Sequence, residues 1–157
     1  METRDNKQKE APFSHLDHEG KASMVDIGGK AVQQRRATAE GYLVCSPETT
    51  DKLRAHALPK GDVLTVAQIA GIQAAKRTAE LIPLCHPLLL DSIRVEFTVE
   101  HDRIRIQAEA AISARTGVEM EALTAVSVAA LTVYDMCKAV DKNMSIEGIR
   151  VVEKIKR

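Results

Sequence analysis

Asp135 and Lys138 stand three positions apart near the end of TGVEMEALTAVSVAALTVYDMCKAV, the stretch from Thr116 to Val140. On a helix that spacing sets an acid beside an ammonium on neighbouring faces. Charged groups that close an otherwise apolar run need partners or a task. Glu119 opens the same stretch, so along one helix it lies on the order of 24 Å from Asp135 at 1.5 Å per residue. One substrate-sized site can hardly draw on both from the same copy, and if both serve a site, it is shared between copies. His86 lies in Pro83-Leu84-Cys85-His86-Pro87, where two prolines hold the segment extended. An imidazole fixed in this way is a binding or proton-transfer group, or else a buried structural histidine. Metal ligation is the weakest alternative, because adjacent Cys85 and His86 do not readily converge on one ion. Lys60, in Pro59-Lys60-Gly61-Asp62, is a solvated loop lysine or a site cation. Lys76-Arg77 closes a predicted helix, where positive charge also suits the dipole. His15-x-x-His18 could hold a metal, but no third ligand of matching type is evident nearby.

A handful of elements must position these groups. From Ala122 to Tyr134 only Thr124, Ser127 and Thr132 interrupt a run of small apolar residues, which reads as a buried helix. Thr116 and Glu119 have capping-box spacing at its start, and the run is too interrupted for a membrane span. Upstream, residues 24–27 read as a short strand before the Gly28-Gly29 turn. Residues 30–44 read as a long strand, with Arg36, Thr38 and Glu40 alternating with Ala37, Ala39 and Gly41. Ser46-Pro47-Glu48 starts a helix expected to reach Ala57. Residues 65–81 form a second helix, with Thr65 and Gln68 in capping-box spacing. Ile93, Val95, Phe97 and Val99, then Ile104, Ile106, Ala108 and Ala110, alternate with polar residues on either side of His101-Asp102. That is a hairpin with one buried and one wet face. Ile149 and Val151 mark a last strand. The order predicts an α+β sandwich, a mainly antiparallel sheet with helices on one face. One helix layer would under-cover the central helix, and association of copies would cover it.

The 157 residues fit one domain, with residues 1–22 as a flexible polar arm and 23–157 as the folded unit. At 45% hydrophobic but 3% aromatic, the core must be filled by Leu, Ile, Val and Ala. Twenty-two basic and 22 acidic residues cancel, which argues against a general nucleic-acid or membrane-surface binder and requires any anion site to be a local cluster. Cys45, Cys85 and Cys137 show neither CxxC spacing nor an even count, as expected of thiols in a reducing cytoplasm. The first residues, METRDNKQKEAP, lack the apolar core of a signal peptide.

Four motifs together carry a resemblance. LIPLCHP (81–87), KGDV (60–63), AGIQAAKRT (70–78) and above all TGVEMEALTAVSVAALTVYDMCKAVDK (116–142) resemble the molybdenum cofactor biosynthesis protein C family, the cyclic pyranopterin monophosphate synthases. The resemblance covers about residues 14–154. It implies a ferredoxin-like α+β fold and a homohexamer, a trimer of dimers with sites between subunits. It implies a lyase that converts a cyclised dihydro-GTP nucleotide to cyclic pyranopterin monophosphate and releases pyrophosphate. It implies no prosthetic group, and leaves magnesium accompanying the triphosphate open.

By motif, Asp135 and Lys138 match the family's central acid/base pair, and Lys60 a second active-site lysine. Leu84, Cys85 and His86 match a substrate-contacting segment, as do Met120 and Glu121, with Glu119 beside them. Lys76, Arg77 and Lys154 match basic positions expected near the triphosphate. Lysine suits phosphate as a point charge, and ring opening and reclosure need positioned proton donors and acceptors. A lysine acting as base must lose its proton, so neighbouring cations or burial are expected to depress the pKa of Lys138, with Asp135 partly opposing. The family commonly continues into a Gly- and Ser-rich basic tail such as GGKSG, whereas this sequence stops at Arg157. Two other readings stand beside the lyase: a nucleotide-binding oligomer without turnover, and a scaffold in which Asp135 and Lys138 form only an intrahelical ion pair.

Overall fold

Alternating Ala and polar residues make β1 (Gln33–Val44) a two-faced strand, and it becomes the centre of the sheet. The structure, a computed structural model, describes residues 15–17 and 19–157. Residues 1–14 of the expected arm, and His18 of the proposed His-x-x-His pair, lie outside them. After β1 come α1 (Pro47–Arg54), α2 (Val63–Lys76), the single turn α3 (Thr78–Leu81), β2 (Ser92–Val99), β3 (Arg103–Ala114), α4 (Glu119–Cys137) and β4 (Ser145–Lys156). β3 pairs with β1 along its whole length, from Gln33 opposite Ala114 to Val44 opposite Arg103, and β2 and β4 take the edges. The order β2-β3-β1-β4, antiparallel throughout, with helices after β1 and β3, is the ferredoxin-like α+β arrangement expected from the sequence.

Ala37, Ala39 and Leu43 of β1 and Ile104, Ile106, Ala108 and Ala110 of β3 are buried beneath the helices. With almost no aromatic residues, the core closes by close approach. A Cβ at Gly71 of α2 would lie 2.9 Å from the main-chain oxygen of Ala125 in α4, so only hydrogen fits there. α4 is long and apolar enough to cross a membrane, but Ala122, Ala125, Val126, Ala129, Ala130 and Val133 are buried within this chain. α2 and the sheet therefore cover it more fully than one helix layer was expected to. Leu131, 58% exposed, and Met120, 38% exposed, are the large apolar side chains of α4 that they leave open.

The opposite face of the sheet is polar, with one buried charge at its centre. Glu40 is 4% exposed; one carboxylate oxygen accepts from Arg105 at 2.7 and 3.1 Å and the other from Arg150 at 2.8 and 3.1 Å. The three groups tie β3, β1 and the irregular β1–β4 ladder together. The arginine hydrogen bonds hold the Glu40 carboxyl below the usual glutamate value.

Five local expectations change. Residues 24–27 form no strand: the Val25 carbonyl accepts from the His86 ring and the Ile27 carbonyl from the Lys30 N–H of the following turn. α1 stops at Arg54, where His56 takes a left-handed φ of 50°. His56 N–H then donates to the Leu53 carbonyl and Ala57 N–H to that of Lys52, closing the helix end. The second helix starts earlier, capped by Asp62, whose carboxylate accepts from the Thr65 N–H and hydroxyl. Gln68 instead donates to the Val95 carbonyl. That helix breaks at Arg77, where the buried Thr78 hydroxyl donates to the Ala75 carbonyl. Lastly, Thr116 does not cap α4. Val118 holds the cap position without a side-chain bond, and Glu119 pairs with Lys154 instead.

Candidate active site

At the C-terminal end of α4, Asp135 stands between two lysines. Lys138, at the helix C-cap, brings Nζ to 2.7 Å from Oδ1; Lys60, from the loop between α1 and α2, brings Nζ to 3.2 Å from Oδ2. Lys60 also donates to the Asp135 main-chain carbonyl at 3.1 Å. Three groups from two motifs, KGDV and YDMCK, thus meet on the surface. Hydrogen bonds from Lys138 and then Lys60 hold the Asp135 carboxyl below the usual aspartate value.

The expected depression of Lys138 is overturned. Its hydrogen bond to Asp135, and then that carboxylate's charge, raise the ammonium above the ordinary lysine value. The side chain is 56% exposed, so burial has little with which to oppose the anion.

The N-terminal end of α4 borders a hollow instead. A cleft of about 410 Å³ opens between the first turn of α4, the two-proline segment and the extended chain at residues 25–30. Leu84, Cys85, His86, Glu119, Met120 and Glu121, all picked out from the sequence, line it. His86 Nε2 lies 2.7 Å from the Val25 carbonyl. A carbonyl only accepts, so the bond needs a proton on Nε2 and leaves Nδ1 as the ring's second site. Gly117 leaves room for the Glu119 carboxylate, which a Cβ there would crowd.

Two carboxylates two residues apart are driven in opposite directions. Burial pushes Glu119 up, but the Lys154 hydrogen bond, the helix N–H and the Lys154 and Arg35 charges outweigh it and leave Glu119 below the usual glutamate value. Glu121 is raised, chiefly by burial, with the charge of Glu119 adding to it. An ionised carboxylate beside one that tends to keep its proton is the combination that supplies both an acid and an anion at one site. Burial first, and then the charge of Glu121, also raises the Cys85 thiol, which weakens it as a nucleophile. Burial likewise pushes Cys45 and Cys137 up to about 11, and all three cysteines are free.

Lys76 and Arg77 are exposed beside a smaller hollow of about 210 Å³ that also reaches Glu121. The two ends of α4 stay apart. The helix separates them by roughly the 24 Å its rise dictates, and this chain alone does not bring Asp135 to Glu121. Among the described residues, no three His, Cys, Asp or Glu side chains converge as a metal site.

Two cations near the cleft escaped the sequence reading. Lys30 lines it just after the Gly28-Gly29 turn. Arg35 has a buried Nε without a hydrogen-bond partner among the described residues, and its charge reaches Glu119. Arg35 faces the helices while its neighbour Arg36 faces the polar side, where it pairs with Glu109. A break in the alternation of β1 was the available signal.

The model of the MoaC family matches residues 24–156. The match takes in every element described above, from the extended segment that holds His86 to the last strand, and the chain belongs to the MoaC family, which serves molybdenum cofactor biosynthesis.

Proposed function

We propose that the protein is a cyclic pyranopterin monophosphate synthase: a lyase that rearranges 3',8-cyclo-7,8-dihydro-GTP and releases pyrophosphate. Family membership supports the pathway. The observation that carries the reaction is the split of acid–base groups between the two ends of α4. One end holds Lys60, Asp135 and Lys138; the other holds a cleft with Glu121 and His86. In this reading the sites lie between subunits of a homohexamer, a trimer of dimers, in a reducing cytoplasm. Each joins the Asp135 end of one copy to the cleft of another.

The pterin precursor occupies the cleft against Leu84, Cys85 and Met120. Lys154, Lys76 and Arg77 meet the triphosphate, with Arg35 and Lys30 adding charge at the cleft. Lys138 starts protonated, so its first tasks are to donate a proton and to hold negative charge. It turns base only after substrate or a second copy's cations displace Asp135. Glu121 and His86 Nδ1 carry the remaining proton transfers. A sugar hydroxyl oxygen then attacks the innermost phosphorus; its proton passes to a site base, and the bond to pyrophosphate breaks as the cations stabilise the leaving charge. A nucleotide binder without turnover is the poorer reading, because Asp135 would set an anion among the very cations that must hold phosphate.

Supplying the cyclised nucleotide to purified protein should yield pyrophosphate and the cyclic monophosphate together. Asp135→Ala should lower that rate on the order of 10³-fold; turnover near the native rate would overturn the reading. Inactive Asp135→Ala and Glu121→Gln chains, refolded together in equal amounts, should regain about a quarter of native activity if each site takes one end from each of two copies. No recovery would place both groups in one copy's site.

A further inference from the structure

Three residues beyond Lys138, the buried side chain of Asp141 reaches away from the cluster and into the start of α1. Its Oδ2 accepts from the Ser46 main-chain N–H at 2.8 Å and from the Thr49 hydroxyl at 3.0 Å, and its Oδ1 accepts from the Asn143 N–H at 3.0 Å. Since the Thr49 hydroxyl gives its proton to Asp141, the Ser46 hydroxyl 3.0 Å away donates to Thr49 Oγ1. The Asp141 N–H closes on the Cys137 carbonyl at 3.1 Å, so the carboxylate is rigidly joined to the last turn of α4.

What lies on each side of this clamp gives it meaning. α4 ends at Cys137, with Lys138 as its cap and Asp135 one turn earlier. α1 ends at Arg54 and runs directly into the loop that presents Lys60, pinned by buried Leu58 and Val63. Asp135, the group between the two lysines, thus meets cations from two elements that touch the clamp. The Lys60–Asp135 bond crosses between those elements, whereas the Lys138–Asp135 bond stays within one.

We propose that Asp141 is a positioning residue for the Lys60–Asp135 contact: its carboxylate fixes the exit of α4 on the start of α1 and so sets where Lys60 stands. The kinetic part rests on the catalytic reading above; the geometric part does not. Asp141→Asn keeps the shape but turns an amide N–H₂ towards a main-chain N–H, and a donor cannot receive a donor.

The test is a double-mutant cycle on kcat. Asp141→Asn should lower kcat about tenfold in the native background with KM changed less than about twofold, since a small misplacement acts mainly on the reacting geometry. In a Lys60→Ala background the same substitution should cost less than about twofold, because the contact it positions is already gone. Equal losses in both backgrounds would reduce Asp141 to a helix cap and overturn the proposal. Thr49→Val, which removes one donor on the far side of the clamp, should show a smaller loss with the same dependence on Lys60; it carries the test if Asp141→Asn does not fold. Without substrate, the ¹⁵N signal of the Lys60 ammonium should be observable in the native protein and lost to solvent exchange in Asp141→Asn. A retained signal overturns the proposal. If Lys60→Ala keeps full turnover, the catalytic reading fails instead, and the ammonium signal alone decides the role of Asp141.

Discussion

Two carboxylates in this protein each stand between two cations, and they are built for opposite purposes. Glu40 is 4% exposed and gripped by two arginine forks; Asp135 is 57% exposed and touched by two lysines. A guanidinium is planar, stays charged and offers paired donors that match a carboxylate, so Glu40 is held in one geometry. An ammonium is a point charge on a flexible stem and gives up its proton far more readily. The first trio fastens three strands. The second holds its charges where a ligand or another copy can exchange partners with them. The choice of cation, more than the number of contacts, separates a structural cluster from a reactive one.

That contrast can be broken by exchanging the cations. Lys138→Arg keeps the charge and should keep the fold, yet turnover should drop on the order of 10²-fold, the scale of one lost proton transfer. A rate near native across pH would remove Lys138 from that role. Glu40→Gln should leave turnover nearly intact and lower the unfolding free energy at neutral pH by about 2 kcal/mol, below the full cost of stranding a buried charge because both arginines are partly exposed. The folded pKa of Glu40 lies below its unfolded value, so its stabilisation is present above the ordinary glutamate pKa and is lost as pH falls through the folded one. Urea unfolding of both proteins should therefore converge as pH is lowered below about 4; a constant gap would mean the carboxylate's charge is not what stabilises. Arg105→Lys should lower the melting temperature by less than Glu40→Gln does and leave kcat unchanged. The solvent-side pair Glu48–Lys52 on α1 sets the floor: Lys52→Ala should cost about 0.3 kcal/mol.

The framework was legible because it obeys simple periods. The two-residue alternation around His101-Asp102 and along β1, and the all-apolar run of α4, gave both sheet and helices. The candidates from KGDV and YDMCK came together, although nothing local in either motif says that Lys60 meets Asp135; the motif resemblance supplied that expectation. Helix ends were less legible, since capping is a competition among nearby groups. Asp62 outcompeted Thr65, and Lys154, more than thirty residues away in sequence, took Glu119 from Thr116. The protonation of Lys138 was misjudged for a related reason. Burial and neighbouring cations were assumed where the chain supplies an adjacent anion and open solvent. Arg35 went unnoticed because a run of two arginines hides which of them turns inward.

The bond between His86 and the Val25 carbonyl has one more consequence. The acceptor belongs to the main chain, so replacing the side chain at position 25 cannot take it away; adding or deleting a residue between 25 and the Gly28-Gly29 turn can. The stretch leading into the sheet therefore behaves as a spacer of fixed length that decides which ring nitrogen is free to trade protons.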